Sequence, residues 1–121
     1  MDDERLDEKE TSITNWLHTQ LNSTEGLAST LSQNKTAVLD FYATWCKGPC
    51  TKMEKSVDEI AEEGNVNFIK IDVDQFEELA TKQYNVTSVP TLLYLKDGKV
   101  TAKLEGFKAK SQLKNWIMDN Q

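Results

Sequence analysis

Soft metal ligands are scarce in this chain. Its 121 residues include one histidine, His18, and two cysteines, Cys46 and Cys50. A structural zinc site needs four thiolate or imidazole ligands, and these three fall short. Two cysteines are also a thin framework for a small secreted domain stapled by disulfides. Long apolar runs are missing too. None approaches the ~20 residues of a membrane-crossing helix, which excludes a helical spanning protein. The first ten residues, MDDERLDEKE, lack the basic start and apolar stretch of a secretory signal. They also lack the Arg/Ser-rich, acid-poor character of a transit peptide. A cytoplasmic location is the expectation that follows.

A concentrated basic surface is absent as well. The net charge is −6, and the first ten residues alone hold six acids against two bases. The rest of the chain is nearly balanced, so phosphate neutralisation has no footing and nucleic acid is not an expected partner. There is no phosphate loop, no two-histidine zinc helix and no nucleophilic serine followed by a histidine. Three Asn-X-Thr triplets, at Asn22, Asn34 and Asn85, fit the glycosylation pattern, but without a leader segment they read as chance.

What remains is ordinary globular material. Apolar residues make up 38 % and charged residues 28 %, enough for one core without staples. Residues 1–11 read as a solvated acidic tail and 12–121 as a single domain. Ile13, Trp16, Leu17 and Leu21 have helical spacing, although a short strand through Trp16–Leu21 fits equally. A helix is expected over about residues 23–32. The run from Ala37 to Ala43 is rich in strand formers and apolar on both parities, as in a strand covered on both faces. Cys50, Met53, Val57, Ile60 and Ala61 trace one helical face, with Gly64 as the stop. Asn67–Val73 reads as a second strand, and Phe76, Leu79, Ala80 and Tyr84 as a further helical stripe. Val89–Leu95 and Lys99–Leu104 flank the hairpin turn signal Asp97-Gly98. A last helix is expected over about 109–119. This order predicts an α/β fold: a mixed central sheet, early strands parallel, a hairpin at one edge, helices on both faces.

The two cysteines carry the chemistry. Thiol–disulfide exchange needs a sulfur with thiolate character and a second thiol to resolve the mixed disulfide. Cys46 stands where a buried strand ends and a helix is about to begin, and helix N-termini favour a thiolate. Lys47 adds a screened positive charge. Cys46 is therefore the candidate attacking thiol, and Cys50, one turn into the apolar helix face, the candidate resolving thiol.

The stretch Asp40-Phe41-Tyr42-Ala43-Thr44-Trp45-Cys46, followed by Gly48-Pro49-Cys50, resembles the active-site region of the thioredoxin family. Ser88-Val89-Pro90-Thr91 resembles that family's cis-proline loop. Lys70-Ile71-Asp72-Val73-Asp74, Asp97-Gly98-Lys99 and Gly106 match in order and spacing, and the likeness spans roughly residues 23–120. It implies the thioredoxin fold and a protein-disulfide reductase working through a reversible Cys46–Cys50 bridge. By the same likeness, Asp40 is a buried acid that relays a proton during resolution, and Lys70 is its partner. Pro90 is expected to be cis. Trp45, Lys47, Gly48, Pro49, Val89, Pro90 and Gly106 are expected to line the substrate contact. The cysteines would carry the electrons without metal or organic cofactor. The implied partners are disulfide-containing proteins and a thioredoxin-reductase-like donor, with no membrane partner, and the chain is expected to be a monomer.

Two departures stand out. The family has two residues between its cysteines, whereas this chain has three, Lys47-Gly48-Pro49. The extra residue must be absorbed in the strand-to-helix turn, or Cys46 must shift relative to the helix end. Lys55 stands where many members carry a helix-kinking proline. These departures keep open a redox-impaired binding or chaperone module on the same scaffold. Copper delivery, suggested by three-residue gaps in copper-chaperone relatives of the fold, is disfavoured because no histidine follows Cys50.

Overall fold

The computed structural model describes residues 19–20, 24–64 and 66–121. The acidic tail, Trp16, His18 and most of the ambiguous segment before Leu21 lie outside the described residues.

A five-stranded sheet organises the molecule. Strands β1 (Thr19–Gln20), β2 (Thr36–Tyr42), β3 (Phe68–Asp72), β4 (Thr91–Lys96) and β5 (Lys99–Glu105) run in the spatial order β1-β3-β2-β4-β5. The β1–β3 and β2–β3 pairs are parallel, while β4 pairs antiparallel with both β2 and β5. The expected mixed sheet with an edge hairpin is what forms. Of the segment with two readings, Thr19 and Gln20 are strand. The hairpin turns on Asp97 (φ 51°) and Gly98 (φ 80°). Two successive left-handed residues are the requirement of a type I′ turn, which suits the strand twist. A bulge follows between Tyr94 and Leu95, where the Thr101 hydroxyl donates to the Tyr94 carbonyl at 3.2 Å.

Alternation along the central strands splits the core in two. Leu39, Phe41, Ile69, Ile71, Leu93 and Leu95 point to one face, covered by Leu27 of α1 (Thr24–Gln33) and by Leu79 and Ala80. Val38, Phe68, Leu92 and Tyr94 point to the other. There Met53, Val57 and Ile60 of α2 (Pro49–Glu62) and Leu113 and Ile117 of α3 (Lys110–Asn120) cover them. The apolar run of β2 is thus buried on both sides, as a central strand must be.

One element differs from its expected form. The stripe from Phe76 to Tyr84 does not close as a regular α-helix. Leu79–Gln83 is a π-helical turn, with the Tyr84 amide donating to the Leu79 carbonyl at 3.1 Å. Its apolar residues still face the core, so the spacing found the face but not the winding. Helix α2 runs unbroken through Lys55, and Gly64, at φ 84°, lies just beyond its end.

Candidate active site

Strand β2 leaves the core at Tyr42 and the chain turns at once. The Cys46 amide donates to the Ala43 carbonyl at 3.1 Å, closing a turn over Ala43-Thr44-Trp45-Cys46. Lys47 and Gly48 follow without regular structure, and α2 begins at Pro49 with Gly48 as its cap. Proline suits that first position, where its missing N–H would have no helical partner in any case. The additional residue is therefore taken up before the helix, in the Lys47-Gly48 link. Cys50 keeps its place in the first turn of α2.

Cys46 and Cys50 are joined by a disulfide with Cα atoms 5.5 Å apart, inside the ~4.4–6.8 Å window such bonds require. The three-residue gap thus permits the bridge. Because its sulfur is bonded to that of Cys50, Cys46 stays at the N-terminus of α2 although its backbone lies outside the helix. The first-turn amides and the positive end of the helix dipole favour a thiolate there. The bridge packs against Ala43, with Tyr42, Val73 and Val89 around it. Cys46 is 9 % exposed and Cys50 7 %. The expected contrast between an open and a shielded sulfur is thus slight in the bridged form, because both sit under the same apolar neighbours. What separates them is backbone position: one precedes the helix and the other belongs to it.

Asp40 lies on β2, 3 % exposed, on the face that α2 covers. Its neighbours across the sheet are Lys70 on β3 and Leu92 on β4. The Lys70 ammonium is 2.9 Å from Glu54 Oε1 of α2 and 4.5 Å from the centroid of the Tyr42 ring. Lys70 is therefore the ladder neighbour of Asp40, and its ammonium is engaged by a carboxylate the sequence reading did not single out. One signal pointed to Glu54: it stands four residues after Cys50, one helical turn along the same side of α2.

The Val89–Pro90 peptide bond is cis. Thr91 Oγ1 donates to the Ser88 carbonyl at 2.7 Å, and Ser88 Oγ donates to Glu105 Oε2 at 3.3 Å, so this loop is tied at both sides. The Gly106 amide donates to the Pro90 carbonyl at 2.9 Å, and Gly106 adopts φ 82°, a conformation that favours glycine. Gly48 is different. A Cβ there would meet open space at an ordinary φ, so the fold does not demand glycine at that position. Lys47, Gly48 and Pro49 are exposed beside the bridge. Trp45 is 65 % exposed, and its indole Nε1 donates to Asp74 Oδ2 at 2.9 Å. Asp74, contained in the family match but given no role there, thereby orients the ring. A groove of about 490 Å³ runs from Trp45 past Val73, Glu77 and Val86 to Val89. Among the described residues no group of three or more His, Cys, Asp or Glu side chains is placed to hold a metal ion.

The sequence profile of the thioredoxin family matches residues 18–119. The chain belongs to the thioredoxin family. A thioredoxin of Mycoplasmoides gallisepticum is 42 % identical over 88 residues, covering 72 % of this chain and 86 % of the relative. Thioredoxin-1 of Saccharomyces cerevisiae is 39 % identical over 89 residues, covering 73 % and 84 %. Among solved structures, an Asn-to-Gln variant of a Halobacterium salinarum thioredoxin superposes with a TM-score of 0.80 at 32 % identity, covering 87 % of this chain and 91 % of that one. Thioredoxins are protein-disulfide oxidoreductases. With a Cys46–Cys50 bridge at the family's position, this chain is a thiol–disulfide oxidoreductase rather than a redox-silent scaffold. Its partners fall into the thioredoxin classes: disulfide-bearing proteins and a reductase-type donor. No helix among the described residues is long and apolar enough to cross a membrane.

Proposed function

We propose that Cys46 attacks and Cys50 resolves in a cycle that reduces protein disulfides. The observation supporting this assignment is the bridge at the start of α2, with Cys46 preceding the helix and Cys50 inside its first turn. The Cys46 thiolate attacks one sulfur of a substrate disulfide. That bond breaks, the departing substrate sulfur takes up a proton, and a mixed disulfide remains on Cys46. Asp40, through a water, takes the proton of the Cys50 thiol. The Cys50 thiolate attacks Cys46 Sγ, the Cys46–Cys50 bond forms, and the second substrate sulfur leaves and is protonated. Two electrons have passed from the dithiol to the substrate. A thioredoxin-reductase-like donor returns them, so no metal or organic cofactor takes part.

The place of Asp40, buried on the face of the sheet that α2 covers, supports its role as the base. Lys70, its ladder neighbour, balances its charge. Trp45, Lys47, Gly48 and Pro49 on one side, and Val89, Pro90 and Gly106 on the other, form the docking rim. The Val89 backbone pairs with an extended substrate segment, adding it as a short strand. The protein acts as a monomer in the cytoplasm.

Insulin reduction by dithiothreitol tests the assignment. The wild-type chain should accelerate it, Cys46→Ser should fall to background, and Cys50→Ser should accumulate a mixed disulfide with substrate. Wild-type activity in Cys46→Ser would overturn it.

A further inference from the structure

We propose that Glu54 is a positioning residue for the resolving step: it anchors Lys70 and so sets how strongly the lysine charge acts on Asp40. This inference rests on Asp40 acting as the base. The geometry is specific. Glu54 stands one turn after Cys50 on α2, and its carboxylate is 2.9 Å from the Lys70 ammonium. The lysine side chain is 16 % exposed, that of Glu54 45 %. Tyr42 closes the other side of the ammonium with its ring face at 4.5 Å. Asp40 and Tyr42 come from β2, and Lys70 from the strand paired with it. Asp40, its ladder neighbour Lys70 and Glu54 thus lead from a buried acid to a carboxylate in contact with solvent, and Glu54 shares α2 with Cys50 one turn away.

The electrostatic consequence follows from the order of charges. A lysine facing only a buried carboxylate would hold that acid ionised and make it a weaker base. Glu54 draws part of that positive charge toward the surface. The other titratable groups around the pair are Tyr42, Asp58 one turn further along α2, and Asp72 at the end of β3. The Asp72 carboxylate accepts the Asp74 amide at 2.9 Å. Glu54 forms no bond to substrate and exchanges no electron. It acts through Lys70 alone.

The test uses the full chain with Glu54→Gln, which keeps the side chain's size at a half-exposed helix position. The single-turnover rate of mixed-disulfide resolution is followed against pH. We expect the plateau rate to fall about threefold, the scale of one half-exposed ion pair, and the midpoint to move to lower pH. The loss should disappear when Glu54→Gln is made in a Lys70→Met background. A merely structural role would lower the rate without moving the midpoint and would persist in that background. An unchanged profile in Glu54→Gln, with a normal unfolding transition, overturns the inference. Asp40→Asn separates the two readings. If it leaves resolution untouched, the assignment of Asp40 falls. If it slows resolution while Glu54→Gln does not, only the role of Glu54 falls.

Discussion

The two ends of α2 are built on opposite principles. At the N-terminus the helix begins at Pro49 without a side-chain cap, beside exposed Lys47 and Gly48, and holds a disulfide under a thin apolar cover. At the C-terminus, acids accumulate where the helix dipole disfavours them, and no basic residue lies in the last turn. Helix α3 has the converse fault, beginning with Lys110 and no acid in its first turn. The two faults offset each other across space. Lys110 Nζ lies 3.6 Å from Glu59 and 3.3 Å from Glu63, and Lys114 Nζ lies 2.9 Å from Glu63. One end leaves its helical amides to the chemistry of a sulfur. The other is tied down by a neighbour. Between them Met53, Val57 and Ile60 fix the helix to the sheet, so the reactive end is open while its support is rigid.

Breaking this contrast at the reactive end should have the largest effect. Cys46→Ser should abolish insulin reduction yet leave a cooperative unfolding transition by circular dichroism. In the wild type, reducing the bridge should lower the unfolding free energy by at most about 2 kcal/mol, the chain-entropy scale of so short a loop. The middle of the helix should behave in reverse. Met53→Ala, at 1 % exposure, should cost about 3 kcal/mol in urea unfolding, and at temperatures well below its transition it should retain exchange activity. Full stability in that variant would show that α2 is not held by its buried face.

Gly106→Ala should cost about 1–2 kcal/mol through its left-handed backbone. The space around it is open, so the loss is conformational and not steric. Gly48→Ala serves as the control and should leave stability nearly unchanged. The smallest effect belongs to the far end of α2. Lys114→Met should lower the melting temperature slightly, and the difference should vanish near 1 M salt, where screening acts over about 3 Å.

The same cluster sets a pH dependence. Hydrogen bonds from Lys114, then Lys110, hold the Glu63 carboxyl below its ordinary value of 4.5. A lowered folded value means the pair's contribution is complete above 4.5 and is lost as pH falls through the folded value beneath it. Lys110 is raised above its ordinary 10.5, chiefly by its bond to Glu63. Its contribution is present below 10.5 and is lost as pH rises through the higher folded value. The melting-temperature gap between wild type and Lys114→Met should therefore close at acid pH. A gap that does not narrow as the pH is lowered beneath 4.5 would sink this account.

Much of the site was legible because its signals are local. The strand run before Cys46, the turn pair Asp97-Gly98 and the apolar stripe of α2 each depend on neighbours a few residues away. The cis bond before Pro90 had no such signal. It was expected only through the family likeness. The π-helical turn at Leu79–Gln83 escaped because a 3.6-residue stripe fits both windings. Glu54 and Asp74 escaped for another reason. Both stand among 20 acids; spacing from Cys50 marked Glu54 and the family match contained Asp74, but only contact with Lys70 or Trp45 gives either a role.

The residue order alone determined the alternation of strands and helices, the placement of two sulfurs at a strand-to-helix junction, and the left-handed turns that glycine permits. These are properties of short chain segments, governed by backbone sterics and periodic burial. Only the folded arrangement decided that a three-residue gap still closes a bridge, that Lys70 is shared with Glu54, and that the acids of α2 meet the lysines of α3. The first depends on how the turn before α2 takes up the additional residue, and the others on distances of a few ångströms between residues of different elements, which spacing does not encode.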